Sequence, residues 1–179
     1  MHDSDGRCYE VVFGIVALMF VLAAWKWGDW RNWKTYYPTI AFWVIGNYLY
    51  DTLTYNKPLW LYYDPMLNHT LNGLFWKFII YPCVAVVFLY RYPKSGTILK
   101  LKYFSFWIIL FSILEWLLYV FGYFLYYNSW NFWWSVAFNC MMFPLLRLHY
   151  TYPHWGWIWA AIAGVSVIVI FKIPILSLR

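Results

Sequence analysis

Long apolar runs recur along this chain of 179 residues, separated by short clusters of polar and aromatic positions. Six runs, roughly 9–27, 36–54, 70–90, 103–125, 131–150 and 155–173, stand near the ~20 residues an α-helix needs to cross a ~30 Å hydrocarbon core. They are far longer than barrel strands, and no water in lipid satisfies open backbone groups, so each is predicted to be a helix. Short connections leave no room for a second domain. The expected fold class is all-α: an integral membrane helical bundle of about six transmembrane helices, forming a single transmembrane domain over 1–179.

Composition supports the bilayer as solvent. The chain is 64% hydrophobic and 11% charged, against the roughly 25% charged of soluble domains, and a soluble fold of this size could not hide that much apolar surface. The leader MHDSDGRCYE sets Asp3, Asp5 and Glu10 against one Arg7. A cleaved signal peptide wants a positive start, so the first run is expected to be a retained anchor with its N-terminus outside.

Lys and Arg in the short loops set the topology. Lys26, Arg31 and Lys34 follow the first run, Arg91, Lys94, Lys100 and Lys102 the third, and Arg147 closes the fifth. These belong to one side, expected inside, while Arg7, Lys57, Lys172 and Arg179 fall on the other, which places both termini outside. The net charge of +6 is therefore a topology signal that meets anionic lipids on the inner face. No soluble basic module exists to bind nucleic acid. The Trp and Tyr clusters WKWGDWRNWKTYYP, YYNSWNFWW and YPHWGWIW read as interfacial belts. Cys8, Cys83 and Cys140 are isolated, and the four histidines do not share a helix face, so neither a metal site nor a cofactor is expected. Asn68-His69-Thr70 matches a glycosylation sequon but abuts the membrane, and is discounted.

Within the runs the few polar residues fall at similar depth. Asn47, Lys77, Glu115 and Asn139 each lie some seven to ten residues from the expected outer end of their helix, about 10–15 Å below the surface. Stripes at helical spacing lead outward from them: Asn47 and Asp51; His69, Gly73 and Lys77, with Asn72 nearby; Ser112, Glu115 and Tyr119; Asn128, Asn131, Ser135 and Asn139. Together they outline a polar cleft open to the outside. An ammonium there calls for a partner, and Glu115 is the obvious counter-charge for Lys77, with outward snorkelling of Lys77 as the alternative. Pro82 and Pro144 are each expected to free a backbone carbonyl just below this layer. Gly156, Ala160 and Gly164 form small-xxx-small steps on the sixth run, suited to a second copy or another membrane helix.

The stretches WRNWKTYYPTIAFWVIGNYLYDTLTYNKPLW, LNHTLNGLF, YPCVAVVFLYRYPK, ILEWLLYVFGYFLYYNSWNFWWSVAFN and MMFPLLRLHYTYP resemble, over roughly residues 30–155, an uncharacterised family of small multi-pass membrane proteins from spore-forming Bacillota. The resemblance implies a bacterial plasma membrane or spore membrane. It gives weight to Glu115 in ILEW and Arg147 in FPLLRLHY, and places an acidic residue where this chain has Asn47, with Lys77 outside the shared motifs. Three function classes follow. The cleft binds or moves a small polar solute or ion; or the chain is an accessory subunit of a membrane complex; or it modifies lipids, with Glu115 as acid or base and Arg147 on a lipid phosphate. The last is strained, because the topology separates those two residues by half the bilayer or more.

Overall fold

The computed structural model describes residues 3–63 and 73–174, with side-chain surroundings from residue 14 onward. Among them six helices follow in order: α1 (Asp3–Trp27), α2 (Trp33–Leu53), α3 (Gly73–Tyr90), α4 (Thr97–Val120), α5 (Phe132–Thr151) and α6 (Pro153–Ile170). Each answers to one predicted run, with ends displaced by a few residues. Three of them, α3, α4 and α6, are long and apolar enough to cross a membrane.

The hydrophobic pattern did not predict a two-stranded antiparallel ribbon, β1 (Trp60–Tyr62) with β2 (Phe124–Tyr126), in the register Trp60↔Tyr126, Leu61↔Leu125 and Tyr62↔Phe124. β2 occupies the end of the run expected to continue as helix to residue 125. The reason is local: Gly122 takes φ +80°, its N–H bonds to the Tyr119 carbonyl and the Tyr123 N–H to that of Leu118. This paired closure uses a left-handed residue that glycine adopts without strain, and it turns the chain out of the helix. Lys172, at φ 50°, closes α6 in the same way, with Ile173 N–H on the Ile168 carbonyl.

The ribbon joins the α2–α3 and α4–α5 connections, so both lie at one end of the bundle. Lys57 brings the end of α6 there too, its Nζ donating to the Phe171 carbonyl at 2.7 Å, and Leu59, Trp130, Phe171 and Ile173 form a small core beneath it. At the opposite end Arg91 Nε donates to the Trp27 carbonyl at 3.1 Å. The Arg147 guanidinium there lies 4.3 Å from the Tyr92 ring centroid and 5.2 Å from that of Tyr150. Lys57 and Lys172 therefore lie at one end and Arg91 and Arg147 at the other, as their sequence positions predicted, while Arg179 lies outside the described residues.

α3 runs through the middle. Val84, Ala85, Val86 and Phe88 are buried there, and Phe88 meets Trp107 of α4 and Phe143 of α5. α6 is the peripheral helix, only 6% of its apolar window being buried within the chain against 56% for α3. Before its buried stretch α3 widens into a π-helical turn, Trp76–Ile80, in which the Tyr81 N–H bonds back to the Trp76 carbonyl. Pro82 follows directly. It has no N–H to offer the Phe78 carbonyl and its ring crowds that group, so the turn opens by one residue rather than closing as α-helix. Pro144 lies inside α5, which continues through it without a π-helical turn.

Candidate functional site: a polar cleft beneath the ribbon

The ribbon's two faces differ. Trp60, Tyr62, Phe124 and Tyr126 share one face, because residues paired across an antiparallel ladder point the same way, and that aromatic face turns into the bundle. Tyr50 of α2 anchors it: its ring stacks on Trp60 at 3.9 Å, and its hydroxyl accepts from the Leu59 and Trp60 N–H groups while donating to the Trp60 carbonyl. Tyr62 stacks on Trp76 at 4.6 Å, and below it Trp43 stacks on Tyr81 at 4.4 Å. Offset stacking adds ~0.5–1.5 kcal/mol per pair beyond area burial, so the ribbon is bound as a lid by directional contacts.

Under this lid Lys77 meets Asp51. Lys77 Nζ lies 2.5 Å from Asp51 Oδ2, and 4.9 Å from the centroid of the Tyr48 ring. This is the one ion pair among the described residues, and it replaces the expected pairing of Lys77 with Glu115. The correction has a geometric cause. Asp51 is in the last turn of α2 and the π turn sets Lys77 on the α2 side of α3, whereas Glu115 on α4 is taken by the ribbon. Lys77 is 5% exposed, so it does not snorkel. Gly73, one turn before it, leaves room for the ammonium: a Cβ at that position would come 3.0 Å from Lys77 Nζ.

Asn47 and Tyr81 complete the cleft. Asn47 Nδ2 donates to the Trp43 carbonyl of its own helix and its Oδ1 accepts from the Tyr81 hydroxyl at 3.0 Å. With Tyr50, Trp60, Leu61, Tyr62, Gly73 and Trp76 these residues line about 20 Å³ of free space. That holds one or two waters and no larger solute. Asn47 lies six residues from the end of α2, close to the expected depth, whereas Glu115 lies five from the end of α4 rather than about ten.

The rest of the expected layer separates from it. Tyr126 of the ribbon donates to Glu115 Oε1 at 2.6 Å, and the exposed Tyr119 contributes only its ring, 4.9 Å from that of Tyr126. The α5 stripe is engaged in structure: Asn128 Nδ2 donates to the Pro58 carbonyl, and Asn131 caps the helix by accepting from the Trp133 and Trp134 N–H groups. Ser135 Oγ accepts from Trp130 Nε1, and Asn139 Nδ2 donates to Ser112 Oγ at 3.4 Å. His69 and Asn72, with the sequon, lie outside the described residues. Gly156 also has an internal role, since a Cβ there would come 2.6 Å from His149 Cα. Gly164 faces open space.

Sequence reasoning missed Tyr50, Tyr62, Trp76, Tyr81 and Tyr126. In a chain with 18 Tyr and 15 Trp their identity carries little signal. Only Tyr81, four residues after Lys77 as Asp51 is four after Asn47, had a legible spacing. Comparison of the chain with protein-family models, with curated proteins and with solved structures returns no match.

Proposed function

We propose that all six helices cross a bacterial plasma or spore membrane, with the ribbon outside, and that the cleft beneath the ribbon binds a small polar solute or ion, as a step in its passage or its sensing. The observation that carries this reading is the pairing of Lys77 and Asp51 around a small polar void, closed by a lid that consists of two chain connections rather than of helix. The void as it stands takes an occupant the size of water or a bare ion. A larger solute requires the ribbon to lift away from Tyr50 and Trp76. The test is purified full-length chain in proteoliposomes, assayed for flux across a panel of inorganic ions and small zwitterions, with ligand-induced thermal shifts in parallel. A response expected for wild type should be lost in Asp51→Asn and Lys77→Met. No response to the panel, or one unchanged in both variants, overturns the reading.

A second reading, an accessory subunit, draws on α6. Its peripheral position, the open Gly164 and the groove of about 700 Å³ between α5 and α6 suit another membrane segment. Cross-linking from α6 in native membranes distinguishes the two: a stoichiometric partner protein supports this reading, and lipid alone opposes it.

A further inference from the structure

Two carboxylates and one ammonium meet under the ribbon, and the ammonium belongs to Asp51. Glu115 is left with neutral donors, the Tyr126 hydroxyl at 2.6 Å and the Ser135 hydroxyl, and with no Lys, Arg or His within 4.0 Å among the described residues. Among the described residues, the groups facing it from each surrounding element carry no positive charge. They are Tyr126 and Tyr62 from the ribbon, Tyr81 from α3, Ser135 from α5 and, on its own helix, Tyr119 against the Tyr126 ring. Tyr62 and Tyr81 lie within electrostatic reach of both Glu115 and Asp51, so the two carboxylates share one aromatic neighbourhood that holds a single ammonium. An unpaired carboxylate in such surroundings is costly, and membrane carboxyls of this kind resolve the cost by holding a proton.

We propose that Glu115 is a proton-binding site. Its Oε2 carries the proton while Oε1 keeps the Tyr126 hydrogen bond, and loss of that proton to water, when the ribbon moves, leaves the carboxylate held only by neutral hydroxyls, those of Tyr126 and Ser135. One O–H bond forms or breaks and the charge changes by one. The inference rests on the membrane-spanning reading of α4 but not on any occupant of the Asp51–Lys77 cleft.

Dicyclohexylcarbodiimide tests it, because this apolar reagent condenses with a protonated carboxyl: the acid proton passes to a carbodiimide nitrogen, a carboxyl oxygen adds to the central carbon, and the adduct rearranges to a stable acylurea. Full-length protein in phosphatidylcholine vesicles should be labelled at Glu115 at neutral pH, as mapped by peptide mass. The ion-paired Asp51 should be spared, and the rate at Glu115 should fall about tenfold per pH unit on the alkaline side of its titration. The infrared carbonyl band of a protonated carboxyl should be present in wild type, absent in Glu115→Gln, and retained but shifted upward in Tyr126→Phe, which keeps the acid and removes the donor to Oε1. Absence of a Glu115 adduct, labelling independent of pH, or a wild-type spectrum without that band overturns the proposal. Wild type and Tyr126→Phe decide the matter even where Glu115→Gln does not fold. A cleft that binds nothing would leave all of these results in place.

Discussion

Lys77 and Asp51 differ in what each leaves behind when its partner is removed. Lys77 is buried, whereas the Asp51 side chain is 35% exposed. Asp51→Asn therefore strands an ammonium without access to water and is expected to cost about 3 kcal/mol, near the lower end for broken buried pairs. Lys77→Met leaves a carboxylate that can turn to solvent, at about 1–2 kcal/mol. The double variant should recover about 1–2 kcal/mol of the summed loss. Lys77→Met combined with Glu115→Gln, which share no contact, should add to within ~0.5 kcal/mol. Denaturant titration of the folded chain in mixed micelles measures both cycles. Strong coupling to Glu115 and none to Asp51 would contradict the geometry described above.

At the scale of elements, the glycines of α6 have opposite duties despite their equal spacing. Gly156 packs its backbone on the backbone of His149, whose ring stacks on Phe42 at 4.1 Å and meets Thr39 Oγ1 at 3.1 Å. A methyl at residue 156 must displace main chain, so Gly156→Ala is expected to lower stability by about 2 kcal/mol or more, as overpacking of a close contact does. Gly164 meets nothing within 4 Å, and Gly164→Ala should raise stability by roughly 0.5–1 kcal/mol through helix propensity. Equal loss in both would place a second helix on Gly164. The same scale decides where α4 stops. Gly122→Ala puts a Cβ on a residue at φ +80° and should cost about 1 kcal/mol. The loss should include weaker hydrogen-exchange protection at Tyr127 N–H, which pairs with the Leu59 carbonyl across the ribbon.

For the molecule as a whole, orientation is the testable property. The cation-rich connections that meet at the Arg91–Trp27 contact are expected in the cytoplasm and the ribbon end outside. A reporter active only in the cytoplasm should work when fused after Lys34, Lys94 or His154, and fail after Lys57, after Asn128 or at the C-terminus. Inversion of the whole pattern would turn the ribbon and its cleft to the cytoplasm. A mixed pattern would mean that fewer than six helices cross.

Helix number and position were legible in the sequence because the length and polarity of an apolar run report directly on its solvent, with little help from neighbours. The division of loop cations between two ends was legible for the same reason: alternating short connections leave a chain of helices few other arrangements. The polar residues of the cleft could be named, since ionisable groups are rare in such a sequence and stand out. Their partners could not. Depth along a helix does not fix rotation about it, and rotation at Lys77 is set by a π turn that Pro82 imposes. Lys77 meets Asp51 while Tyr126 bonds Glu115, and the latter contact depends on two three-residue strands, 62 residues apart at Tyr62 and Phe124, finding each other. Neither strand has an alternating pattern long enough to announce itself among so many aromatics. Composition and periodicity determined that these residues would lie in a bundle of apolar helices; only the tertiary structure, through a glycine closure and a nonlocal pairing, decided which charge neutralises which.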